Sequence, residues 1–141
     1  MEFRNTHQEE MQRKGKMLTI TVEKFLGLEP AHRTIDEANK LNQRLKDESD
    51  IDIHKIETTT KEDLVVYFND RLLNALHIQL LSDYFRALSD QESTLNRSLA
   101  LLQRAMELLY VADVISQSMS MVRLQKRQEL ERLLQQKVSE L

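Results

Sequence analysis

Apolar residues recur at helical spacing along most of this chain, and the recurrence divides it into segments. Met11, Leu18, Val22 and Phe25 mark a first helix over about 7–26. Gly15 interrupts it at a cost of about 1 kcal/mol relative to alanine, so the helix is expected to begin properly after Gly15 and to leave residues 1–14 as a loose or partner-docked arm. Gly27 reads as a C′ cap, with Leu28 folding back and Pro30 preventing continuation. Thr34-Ile-Asp-Glu37 is a capping box that opens a second helix, whose face is Ile35, Ala38, Leu41 and Leu45, to about Lys46. From Asp47 to Glu57, Ile51, Ile53 and Ile56 alternate with acids and His54. A lone short strand has no partner, so the expectation is an extended or irregular connector that buries the isoleucines.

Thr58-Thr59-Thr60 starts the next helix, with pairings from Thr59 to Glu62 and from Thr60 to Asp63, and Asn69-Asp70 ends it and caps its successor. Leu72, Leu73, Leu76, Leu80, Tyr84 and Leu88 trace one further helix, widened by Leu81 and Phe85. After a turn at Ser89–Thr94, a helix from Leu95 to Gln117 is apolar on more than one side, which predicts a central element with neighbours on both flanks. The last helix, about 119–140, carries Leu130, Leu134, Val138 and Leu141 in a thin stripe beside Arg127, Glu131, Arg132 and Lys137. Such a stripe fits either the outer helix of a bundle or a dimer seam. The two glycines and the one proline of the 141 residues all lie before Ala31. Sheet folds with tight turns and phosphate-binding glycine loops are thereby disfavoured. The expected fold is all-α: a single domain over 1–141, a bundle of five or six helices around one antiparallel hairpin.

Composition narrows the chemistry. With 40% hydrophobic and 30% charged residues the chain is too apolar for global disorder. No cysteine is present, which removes disulfides, thiolate metal sites and cysteine nucleophiles. No apolar run approaches the ~20 residues of a membrane helix, and the charged start MEFRNTHQEEMQRKGK lacks a signal-peptide core, so no membrane role and a cytoplasmic location are expected. The net charge of −3 is unevenly spread: residues 34–70 hold ten acids and five bases, and residues 119–141 hold five bases and three acids. That basic excess is too small to favour nucleic acid.

His7, His32, His54 and His77 form no helical metal pair, and no metal or other cofactor is expected. Asp50-Ile-Asp52-Ile-His54 would align three polar side chains if extended, but reads as a solvated edge. Ser116, Ser118 and Ser120 mark a helix junction where they cap backbone groups. Tyr67, Tyr84 and Tyr110 can bury a ring and keep a wet hydroxyl, which makes them candidates for partner recognition as well as for packing.

The Leu72–Gln117 hairpin resembles a tetratricopeptide-type helix pair, through Ala105-x3-Leu109-x2-Ala112 and Leu81-Ser82-x2-Phe85. The 34-residue period does not recur and the closing proline is missing, so no repeat array is expected. The whole is similar to small uncharacterised bacterial proteins with tetratricopeptide-like helices, with Lys24-Phe25-Leu26-Gly27-Leu28 and Ser116-Gln-Ser-Met-Ser120 at corresponding places. That resemblance implies a helical scaffold with an interaction role and supplies no catalytic residues. The expected function is a non-enzymatic protein–protein interaction scaffold or adaptor, with self-association as one mode of interaction. Its partner surfaces are Tyr67, Tyr84, Tyr110, Arg127, Leu130, Leu134, Lys137 and Leu141. Two alternatives remain open: a small regulator that binds nucleic acid through its C-terminal helix, and a metal-dependent hydrolase built on His54.

Overall fold

The computed structural model describes residues 3–140, with burial assigned from Thr6 onward. Among these residues are seven α-helices, one 3-10 turn and no strand. The helices are α1 (Phe3–Leu26), α2 (Ile35–Ser49), α3 (Ile53–Thr58), α4 (Lys61–Asp70), α5 (Ala75–Gln91), α6 (Leu95–Ser116) and α7 (Met121–Val138). The count exceeds the expected five or six because the segment after Asp50 is not extended. Asp52 caps it by accepting the backbone N–H groups of His54 and Lys55, and Ile53 and Ile56 then fall three apart on one helical face. All three isoleucines are buried, as expected.

Helix α1 also departs from expectation. It runs without a break through Gly15 from Phe3, so residues 3–14 are helical rather than a loose arm. Gly15 is there for close approach: a Cβ would come within 3.0 Å of Cε1 and Nε2 of the His77 ring. Gly27 does not adopt the left-handed cap. Instead the Arg33 guanidinium donates back to the carbonyls of Leu26 and Leu28 and so satisfies the free end of α1. The left-handed residues are Asp50, Leu72 and Gln117 (φ 54–55°), so three turns are made without glycine.

Thr34, Thr60 and Ser120 cap α2, α4 and α7. Helix α5 is capped by Asn74 rather than by Asn69-Asp70. The Asn74 Oδ1 accepts the His77 N–H, and His77 Nδ1 accepts the Asn74 N–H, each at 3.1 Å. With α5 starting at Ala75, its buried face is Ile78, Leu81, Tyr84 and Phe85, while Leu72 and Leu76 point outward at 52% and 66% exposure.

Helix α6 is central and packs on α4, α5 and α7. The α5–α6 pair is antiparallel: Ser82 Oγ donates to the Ala105 carbonyl at 2.8 Å and Ser98 Oγ to the Ser89 carbonyl at 2.9 Å. Those small residues, with Ala105 and Ala112 fully buried, let the two backbones come close. Leu18, Val22 and Phe25 of α1 and Leu41 and Leu45 of α2 complete the core from the other side of α5.

Candidate interaction site

The expected partner residues separate once their surroundings are known. Tyr84 is 0% exposed. Its hydroxyl donates to Asn42 Oδ1 at 2.6 Å, and its ring meets Phe25 edge-on at 5.2 Å, so it is a core residue with no face for a partner. Burial, with a further contribution from Glu57, raises its pKa well above the usual tyrosine value. Tyr67 is a clamp. Its hydroxyl accepts the Asp52 N–H at 2.9 Å, and the Arg71 guanidinium stacks on its ring at 3.6 Å while donating to the Asp50 carbonyl at 2.7 Å. The clamp ties the α2–α3 turn to α4, and burial raises the Tyr67 pKa. Tyr110 alone of the three stays on the surface, half exposed, with Lys61 over its ring at 5.2 Å.

On α7, Leu130 is buried against the bundle and Leu134 is half-buried beside it, which is the arrangement of an outer helix. Lys137 is half-buried near the end of α7, and Leu141 lies outside the described residues. Arg127 is turned inward. Asp113 holds Arg123 at 2.6 Å and Arg127 at 2.8 Å, and Arg123 also donates to Ser116 Oγ and the Ser118 carbonyl. Lys126 pairs with Asp83 at 2.9 Å, and Arg132 with Glu129. The C-terminal helix thus directs most of its positive charge at carboxylates of its own chain. The three polar residues of the Asp50–His54 edge also diverge: Asp50 pairs with Arg71, Asp52 caps α3 and His54 is exposed. Among the described residues no group of three or more histidines and acids is placed to hold a metal ion, and no helix is long and apolar enough to cross a membrane.

An open, largely apolar groove lies elsewhere, where α1 passes the N-terminus of α5. A groove of about 520 Å³ is lined by Met11, Lys16, Thr19, Ile20, Leu72 and His77. A second hollow shares Thr19, Asn74 and His77 with it and continues along α1 past Leu76 and Leu80 to Glu23. Ile20, Leu72 and Leu76 are each more than half exposed. His77 forms part of the floor. Burial lowers its pKa, and because Nδ1 accepts the Asn74 N–H, the neutral ring carries its proton on Nε2. The sequence held two signals for this groove: Ile20 falls off the Leu18–Val22–Phe25 stripe, and Leu72 and Leu76 cannot be core once Asn74 starts the helix. Compared with known protein families, curated proteins and solved structures, the chain matches none.

Proposed function

We propose that this protein is a non-enzymatic protein-interaction scaffold and that the α1/α5 groove is its binding surface. The observation that carries this reading is Leu72. A left-handed conformation costs a non-glycine residue roughly 1–2 kcal/mol, and a bulky leucine in it is an outlier. Leu72 adopts it at φ 55° and then leaves its side chain half in water at the rim of the groove. Neither choice favours stability. Strain retained at an exposed apolar position points to a surface shaped for a partner. The resemblance of the α5–α6 hairpin to tetratricopeptide-type pairs supports the same reading, with the hairpin as the rigid frame behind the groove.

The test separates binding from folding. Leu72→Asn suits the left-handed turn and removes the apolar contact. It should raise the unfolding free energy while lowering retention of bound proteins in a pulldown from native lysate. Leu76→Asp should lower retention with the melting temperature unchanged. If both variants retain the wild-type set of proteins, the groove is not the binding surface.

A further inference from the structure

The occupant of the groove can be argued from its charges. Lys16, Ile20 and Glu23 lie on one exposed face of α1, spaced four and three residues apart. Lys16 lines one end of the groove and Glu23 the other. Neither has an ion-pair partner among the described residues, and nor do Arg13 and Lys24 near them on α1, whereas four of the five bases of α7 are paired within the chain. About 10 Å of helix separates them, and the midpoint falls beside Ile20.

A two-fold interface must be its own complement, because each residue meets a residue of the same patch. A dyad placed beside Ile20, with the two α1 helices antiparallel, satisfies this. It brings Lys16 of each copy to Glu23 of the other at both ends. It also sets each Ile20 into the opposing groove between Leu72 and Leu76, covering the three large apolar side chains this region exposes. We infer that the α1/α5 groove binds a second copy of this chain, as a two-fold dimer centred on Ile20 and closed by reciprocal Lys16–Glu23 pairs. The inference rests on the scaffold reading and names the partner of the same site. It moves self-association away from α7, whose Leu130 is already buried within its own bundle.

Charge reversal tests it on the full chain by sedimentation velocity across a concentration series. The wild type is expected to dimerise. Lys16→Glu and Glu23→Lys each set like charges against one another at both ends, and each should weaken the dimer at least tenfold. The double variant Lys16→Glu/Glu23→Lys restores opposite charges in reverse and should recover most of the loss. All these positions are exposed, so circular dichroism should be the same for every variant. Ile20→Asp should be monomeric. A wild-type monomer at every concentration overturns the inference, as does a dimer indifferent to the reversals or one that the double variant fails to restore. A monomer that still retains other proteins through Leu76 ends this inference alone and leaves the scaffold reading standing.

Discussion

Helix α6 is held on two flanks by different physics. Toward α5 it presents Leu101, Leu102, Ala105, Leu108, Leu109 and Ala112, all buried. The polar atoms there, Ser82 and Ser98, are hydrogen-bonded to backbone. Toward α7 the packing of Leu130, Leu133 and Leu134 is joined by ion pairs: Asp113 with Arg123 and Arg127, and on neighbouring α5 Asp83 with Lys126 and Arg86 with Glu129. Leu130 is the single fully buried apolar side chain on α7. The first flank is fixed by shape, which tolerates little change in volume. The second is fixed by charge placement, which sets direction and register and adds little net stability. The α5–α6 pair should therefore form the most stable unit of the fold and α7 a unit that opens first.

The two flanks should break differently. Leu81→Ala, at a fully buried α5 position, is expected to cost about 3–4 kcal/mol and to lower the midpoint of a single denaturant transition seen by every probe. Asp113→Asn leaves Arg123, only 5% exposed, without its carboxylate and should cost about 3 kcal/mol. Its signature is local: amide exchange in α7 should rise well before exchange in α5 or α6. Uniform loss of protection across all three helices would mean that the two flanks are one cooperative unit. Replacing Asp113, Arg123 and Arg127 together by apolar residues of similar volume should recover most of the Asp113→Asn loss.

How much of this was visible in the chain depended on where each residue's partner lies. Caps at Thr34 and Thr60 involve partners three residues away, and both were readable, as was the central position of α6 from its two-sided apolar pattern. The helix at Ile53 was not, because an alternating pattern and an i,i+3 pair coexist in Ile51, Ile53 and Ile56, and only the Asp52 cap decides between them. Gly15 looked like a helix break because its reason, the His77 ring, is 62 positions away. Tyr67 and Tyr84 looked like recognition residues for the same cause: the groups that engage their hydroxyls, the Asp52 amide and the Asn42 carboxamide, come from other helices. The charges of α7 looked free for a partner until Asp113 and Asp83 were brought beneath them.

The corner between the flanks offers a smaller test. Gln117 ends α6 at φ 54° and lets the chain turn into α7. Gln117→Gly relieves the left-handed strain but loosens the unfolded chain, and the balance should stabilise the protein by about 0.5–1 kcal/mol. Because the strain sits at the start of the charged flank, the gain should appear mainly as slower exchange in α7. A gain shared equally by α5 would argue against separate units.

The smallest effect is expected at the N-terminus of α5, where a titratable group takes part in the cap. His77 accepts the Asn74 N–H through Nδ1 only while its ring is neutral, and burial holds its folded pKa below the usual 6.5. The unfolded chain then binds the extra proton more readily, so stability rises with pH through this range. The contribution is present above about pH 6.5 and is lost as pH falls toward the folded pKa. His77→Gln keeps an acceptor at the third helical position for the Asn74 N–H and removes the titration. Between about pH 5 and 7, denaturant midpoints of the wild type should fall with acid more steeply than those of His77→Gln. The difference should show in exchange of the first α5 turn, Ile78 included, with Leu81 unaffected. Parallel midpoints for the two proteins would mean that the cap tolerates the imidazolium, and that the α5 flank has no pH-sensitive end.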